Sequence, residues 1–167
     1  MSEFNFNFSD QSTLNFGEAD ADHELIAILN LACPDSQKWF LENKSVLLNS
    51  VGTRQLLLHL KFWNKPKPSL LNGNVANEYV DYGHPNQALD FITRLFQHQE
   101  QLRNQALENV ELYLQDTFNV QPYELADKVA KQILVEVNQN NITSVPTIIT
   151  NNRSYFDDGL IPVSQLF

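Results

Sequence analysis

Residues 25–36 have the sequence LIAILNLACPDS, which carries the clearest structural signal in the chain. The run from Leu25 to Leu31 is almost entirely apolar, which is typical of a central strand covered on both faces. Cys33 follows at once, and Pro34 suits the first turn of a helix, where its missing N–H group costs nothing. The sequence therefore predicts a buried strand that ends at Cys-Pro and turns directly into a helix.

The segments around this stretch extend the pattern on both sides. Helically spaced apolar residues continue from Pro34 to Gly52, where the glycine is expected to end the helix. Residues 55–63 are rich in leucine and aromatic side chains and predict another strand, so the strand–helix–strand order favours a parallel pair with a right-handed crossover. Upstream, residues 3–8 alternate apolar and polar side chains, the pattern of a half-buried strand.

The second half of the chain predicts helices followed by a hairpin. Apolar faces run through residues 87–101 and 102–118, and Pro122 is expected to open a third helix. Residues 146–156 return to strand character, with Asn151-Asn152 suited to a tight turn. We therefore predict an α/β fold in which residues 1–64 and 141–167 form the core domain and residues 65–140 an inserted helical subdomain, with a shortened terminal helix after residue 160.

Composition limits the function classes. The 167 residues suit one domain, or one domain with an insertion. The formal charge is −9 and no basic cluster stands out, so binding to nucleic acid is not expected. Residues 1–24 contain no Lys or Arg, and no apolar run approaches the roughly 20 residues of a membrane span, so neither a secretory signal nor membrane insertion is expected. A single cysteine excludes an intrachain disulfide and suits a reducing compartment, so we expect a cytoplasmic protein.

Few other chemical signals are present. The four histidines show no paired ligand spacing, so no metal site is predicted. No glycine-rich phosphate loop occurs either. A lone cysteine is usually a small buried hydrophobe, but the strand before Cys33 and the helix after it favour an exposed sulfur that forms a site.

Three separated signals resemble the DsbA-like branch of the thioredoxin superfamily. Residues 17–21 lead into the apolar strand and Cys33-Pro34, which resembles the family's entry to its active site. The helices of residues 65–140 resemble the family's helical insertion. The segment Ser144-Val145-Pro146-Thr147 resembles its cis-proline loop. The resemblance implies a thioredoxin fold, with a mixed central sheet flanked by helices and a DsbA-type insertion, and thiol–disulfide oxidoreductase or isomerase activity.

The resemblance also implies roles for individual residues. Cys33 would be the nucleophile, because a helix N-terminus stabilises a thiolate through its free N–H groups and its dipole. Pro146 would be the cis-proline facing the sulfur, and the backbone of Val145 would pair with an extended substrate. Pro34 and Asp35 would contact the substrate beside the sulfur.

Two departures from the family pattern restrict the chemistry. Ser36 stands where the resolving cysteine is expected, so Cys33 can form mixed disulfides but no active-site disulfide. Glutathione or another small thiol would then be a co-substrate, with no other cofactor implied, and Ser36 would donate a hydrogen bond to the thiolate. Asp35 stands where strongly oxidising relatives often carry His, and its carboxylate predicts a less activated sulfur. The expected partners are disulfide-containing proteins or small-thiol substrates, and the oligomeric state is left open.

Two alternatives remain open on the sequence. The missing resolving cysteine and Asp35 also suit a redox-inactive module that binds extended peptides in the same groove. Kappa-class glutathione transferases share the architecture, so a glutathione-dependent transferase or isomerase is a further possibility. Those relatives generally carry Ser where Cys33 stands, and their helical region is longer.

Overall fold

The structure, a computed structural model, describes residues 3–167. One five-stranded sheet forms its centre, with the strand order β1-β3-β2-β4-β5. Strands β2 and β3 are parallel, and the other three neighbouring pairs are antiparallel. The strands are β1 (Leu14–Phe16), β2 (His23–Leu29), β3 (Leu56–Phe62), β4 (Thr147–Thr150) and β5 (Arg153–Phe156).

Six α-helices accompany the sheet. They are α1 (Pro34–Gly52), α2 (Leu71–Asn77), α3 (Pro85–Gln97), α4 (Gln99–Arg103), α5 (Val110–Phe118) and α6 (Ala126–Gln139). Short 3₁₀ turns lie at Pro68–Leu70, Leu107–Asn109, Asp157–Gly159 and Val163–Gln165. Among residues 3–167, no helix combines the length and apolar character needed to cross a bilayer.

The centre of the fold confirms the prediction. The apolar run forms the buried strand β2, α1 begins at Pro34 and ends at Gly52, and β3 lies parallel to β2. The hairpin of β4 and β5 turns at Asn151 and Asn152, whose φ angles of 54° and 60° are the left-handed values that asparagine tolerates. The thioredoxin-like α/β class expected from the sequence is therefore correct.

The strand predicted at residues 3–8 is wrong. The segment is irregular, and the first strand is Leu14–Phe16, which pairs antiparallel with β3. Side chains of α6 take the backbone groups that a sheet would use. The N–H groups of Asn5 and Asn7 donate to Asn140 Oδ1 and Glu136 Oε2 at 2.7 and 2.6 Å. The alternating pattern therefore reports an extended chain lying on α6.

Three helix boundaries also differ from the prediction. The helix expected over residues 87–101 breaks between α3 and α4, and the helix expected from Pro122 begins at Ala126. The helix expected over residues 102–118 is interrupted after α4. The side chain of Asn72 donates to the carbonyls of Leu102 and Gln105 at 3.0 and 2.7 Å and so satisfies backbone oxygens at the break. Leu107, predicted to face the core, is exposed.

A buried ion pair joins α6 to the sheet. Lys61 Nζ of β3 lies 2.9 Å from Glu136 Oε1, with the two side chains 0% and 3% exposed. The ammonium also donates to the carbonyl of Asn7 at 2.7 Å, so the pair fixes the N-terminal segment as well. Burial lowers the pKa of Lys61, although the Glu136 carboxylate favours the charged amine.

His59 lies two residues earlier on the same face of β3. Its Nδ1 is 2.6 Å from Asn15 Oδ1, its Nε2 is 3.2 Å from Glu24 Oε2, and its ring stacks on Phe8 at 3.8 Å between centroids. Burial lowers the pKa of His59, and the neighbouring Glu24 opposes that shift only in part. This face of the sheet therefore carries two buried basic groups whose charged forms are disfavoured by burial.

Candidate functional site

Cys33 is the N-cap residue of α1. Its backbone is extended, with φ −80° and ψ 120°, and Pro34 occupies the first turn. The sulfur accepts a hydrogen bond from the backbone N–H of Ser36 at 3.4 Å. A side chain in this position satisfies one of the N–H groups that a helix leaves unpaired at its start. The local sequence thus places the sulfur against the positive end of a 19-residue helix.

The loop before β4 lies against the sulfur. Ile28 of β2 pairs with Thr147 of β4, so the chain leaving β2 lies beside the chain entering β4. The Val145–Pro146 peptide bond is cis. The Cys33 thiol donates to the carbonyl oxygen of Val145, with 3.3 Å between sulfur and oxygen. The structure therefore brings together two segments that are more than a hundred residues apart in the sequence.

The sulfur itself is not exposed, contrary to the expectation from the sequence. Cys33 is 6% exposed, and Ser36 is fully buried. Pro34 and Asp35 lie between them and are both exposed. The bond to the Val145 carbonyl folds the sulfur inward, because a thiol that satisfies a backbone oxygen gives up part of its contact with solvent. A reagent therefore approaches Cys33 past Pro34 and Asp35.

Ser36 contacts the sulfur through its backbone and not through its hydroxyl group. The hydroxyl oxygen accepts a hydrogen bond from the N–H of Asn30 at 3.3 Å, inside the protein. This bond connects the first turn of α1 to the end of β2. Ser36 therefore fixes the loop between β2 and α1 in addition to capping the sulfur.

Two buried amide side chains that the sequence did not single out hold the same loop. Gln99 of α4 is 0% exposed, and its Nε2 donates to the carbonyls of Leu31 and Cys33 at 2.9 Å each. Asn77 of α2 accepts from the N–H of Leu31 at 3.3 Å. The helices between β3 and β4 thus contact the loop that carries the sulfur. Gln99 sits in a polar stretch, so no periodicity marks it.

Asn30 is a third buried amide, and it did leave a signal as a polar residue within an apolar run. Its Oδ1 accepts from the N–H of Ala32 at 2.9 Å, and its Nδ2 donates to Trp63 and Asn74 at 3.0 and 2.8 Å. Gly73 of α2 packs directly against it. A Cβ at position 73 would overlap Asn30 Oδ1 and lie 2.6 Å from the nitrogen of Ala32. Glycine is therefore required there by close approach.

A groove of about 620 Å³ lies beside the sulfur, between α1 and residues 157–162. Its residues share an acidic and partly apolar character. They are Asp35, Lys38, Trp39, Glu42, Asn43, Asp157, Asp158, Leu160, Ile161 and Pro162. Ser144 Oγ donates to Asp157 Oδ2 at 3.3 Å, which ties one wall to the loop of Val145 and Pro146. We call this region the α1 groove.

A second cavity, of about 480 Å³, lies between α3 and the chain before α6. Tyr79 and His84 both line it. Tyr79 and Tyr82, expected in a solvated loop, are each 2% exposed, whereas His84 is exposed as expected. Burial raises the pKa of both tyrosines, so they remain protonated well into the alkaline range. Among residues 3–167, no three His, Cys, Asp or Glu side chains are grouped to hold a metal ion.

Comparison with known proteins identifies relatives of this architecture. The family described as Thioredoxin matches residues 9–161. A conserved protein of unknown function from Enterococcus faecalis V583 has a similar structure, with a TM-score of 0.87 and 30% identity over 98% of this chain and 90% of that one. Among curated proteins, none matches the chain in sequence.

Two further solved structures share the fold at low sequence identity. The protein-disulfide isomerase from Novosphingobium aromaticivorans has a TM-score of 0.67 and 14% identity, over 93% of this chain and 94% of that one. Oxidised BdbD from Bacillus subtilis has a TM-score of 0.63 and 14% identity, over 94% and 89%. These matches extend over nearly the whole chain, so they include the helices between β3 and β4.

Proposed function

Because the chain belongs to the thioredoxin family, we propose that it is a thiol–disulfide oxidoreductase or isomerase that acts through the single sulfur of Cys33. The observation that carries this proposal is the contact between the sulfur and the loop of Val145 and the cis Pro146 at 3.3 Å. The N–H of Ser36 supports it, because that donor favours negative charge on the sulfur. The solved disulfide isomerase of the same fold agrees with this chemistry.

The reaction proceeds by two exchanges. The Cys33 thiolate attacks one sulfur of a substrate disulfide, a new S–S bond forms, and the other substrate sulfur leaves as a thiolate that takes up a proton. An external thiolate then attacks the mixed disulfide and carries the substrate sulfur away, which restores Cys33. Since Ser36 cannot perform the second attack, the resolving sulfur comes from glutathione or another small thiol. Such thiols are abundant in a reducing, cytoplasmic compartment.

The neighbouring residues position the two partners. Val145 offers backbone groups to an extended substrate, and attack on that substrate replaces the bond between the thiol and the Val145 carbonyl. Pro34 and Asp35, both exposed, contact the substrate on the outer side of the sulfur. We assign the inserted subdomain of residues 65–140 a positioning role, through the bonds from Gln99 and Asn77 to the loop.

The test uses the absence of any other cysteine in the sequence. Wild-type protein is incubated with a glutathionylated peptide, and release of the peptide thiol is followed with glutathione as resolving thiol. Cys33→Ser should abolish the protein-dependent rate and the mixed-disulfide mass. Exposed Ser45, near the middle of α1, gives the matched control Ser45→Ala, which should keep both. An unchanged rate in Cys33→Ser would refute the proposal.

A second candidate function is a peptide-binding module without redox chemistry. It is favoured by the 6% exposure of Cys33 and by the bond that already occupies its thiol. The alkylation rate of Cys33 with iodoacetamide, measured against pH, separates the two. Fast alkylation at neutral pH, relative to the urea-unfolded protein, supports catalysis. Alkylation that is slower than in the unfolded protein at every pH supports the binding module.

A further inference from the structure

The α1 groove has a marked charge imbalance. Four carboxylates line it, those of Asp35, Glu42, Asp157 and Asp158, against the single ammonium of Lys38, which leaves a net formal charge of −3. All four acidic residues are exposed, and Asp35 is two positions from Cys33 along the chain. A substrate held at the sulfur must therefore carry part of its chain past these carboxylates.

The groove also contains a hydrogen-bond donor without a partner. Trp39 lines the groove and is 4% exposed, and within residues 3–167 its indole N–H has no acceptor. A buried donor in this condition costs free energy unless a ligand satisfies it. The acceptor that an extended polypeptide offers is a backbone carbonyl. Beside Trp39, the half-buried Leu160 and Ile161 supply apolar surface for the stem of a long side chain.

The walls of the groove belong to the site. Asn43 of α1 accepts from the N–H of Val163 at 3.0 Å, and Asp157 accepts from Ser144 at 3.3 Å. The segment of residues 157–162 is thus fixed at one end to the loop of Val145 and at the other to α1. A chain that leaves the sulfur along α1 therefore enters a fixed channel.

We propose that the α1 groove selects polypeptide substrates in which basic residues flank the disulfide sulfur. Lys or Arg side chains lie along the carboxylates, and a backbone carbonyl accepts from Trp39. This inference rests on the proposed function, because it names the substrate class of the same site. Glutathione carries a net negative charge, so the groove disfavours it as a substrate and leaves it the role of resolving thiol.

Binding is measured first without any sulfur chemistry. Two peptides contain a central Ser and differ only in flanking Lys-Lys or Glu-Glu pairs, and their affinities for the wild-type protein are compared by calorimetry. The Lys peptide should bind at least about tenfold more tightly at low salt, and the ratio should fall to about threefold or less near 0.5 M salt, where exposed charges are screened. Equal affinities would overturn the inference.

A charge-matched pair of variants separates the groove from the acidity of the whole chain. Glu42→Gln with Asp158→Asn removes two groove carboxylates and should reduce the Lys-over-Glu preference by about threefold or more. Asp20→Asn with Glu108→Gln removes two exposed carboxylates that do not line the groove and should leave the preference unchanged. An equal loss in both variants would overturn the assignment to the groove.

The same peptides, with Cys in place of Ser and joined to glutathione, then report exchange. Faster exchange of the Lys peptide supports both the selectivity and the proposed function. A preference in binding without exchange would retain the selectivity and refute the proposed function. Exchange at equal rates with equal binding would retain the function and refute the selectivity.

Discussion

The ion pair between β3 and α6 supports a quantitative prediction. Lys61→Met keeps an unbranched side chain of similar length and removes the ammonium 2.9 Å from Glu136 Oε1. Glu136 is 3% exposed, so its carboxylate would remain buried without its partner. Breaking one side of such a pair costs about 3–5 kcal/mol, out of the roughly 5–15 kcal/mol that a domain has in total. At about 2–4 °C per kcal/mol, the midpoint of thermal unfolding should fall by roughly 6–20 °C.

The assay is urea unfolding followed by the fluorescence of Trp39 and Trp63, both buried. The penalty should shrink at acidic pH, because the unpaired carboxylate can then accept a proton. A second variant, Lys61→Met with Glu136→Gln, removes the unpaired charge and keeps an acceptor for the N–H of Asn7. It should recover at least half of the loss. A loss below about 1 kcal/mol for Lys61→Met, or a double variant no more stable than the single one, would refute the reasoning.

Three smaller predictions concern other buried groups. Burial lowers the pKa of His59, so below about pH 6.5 the unfolded chain takes up a proton that the folded one resists. The free energy of unfolding should therefore fall as pH drops through that value, and less steeply in His59→Gln; equal slopes in urea titrations would contradict this. Gly73→Ala should cost more than about 2 kcal/mol through its clash, whereas Gly159→Ala, with open space around it, should cost less than about 1 kcal/mol. Gln99→Ala removes two donors from buried carbonyls and should cost about 1–3 kcal/mol in the same assay, against little effect for exposed Gln97→Ala.

The elements that could be predicted from the sequence are those determined by short-range signals. The strand before Cys33 and the helix from Pro34 to Gly52 follow from local apolar patterns, a proline in the first turn and a terminal glycine. The hairpin follows from two asparagines that tolerate a left-handed backbone. The likeness of the Val145–Pro146 segment to a known loop predicted its place next to the sulfur, which no local pattern could have done.

The remaining features depend on contacts between distant segments. Residues 3–8 alternate in burial as a strand does, but side chains of α6 take their backbone groups, and one periodicity describes both arrangements. The burial of Cys33 depends on a carbonyl 112 positions away, and the role of Gln99 on where α4 packs. Neither residue type nor spacing records such contacts.

The loop that carries the sulfur has a dynamic consequence. The backbone N–H groups of Asn30, Leu31, Ala32 and Cys33 are all bonded inside the protein, three of them to side chains. Amide protons so held exchange with solvent only when the surrounding structure opens. This loop should therefore exchange as slowly as the central strands, although it has no regular secondary structure. A partner arriving at Cys33 would meet a surface that is already ordered, so little conformational entropy would be lost on association.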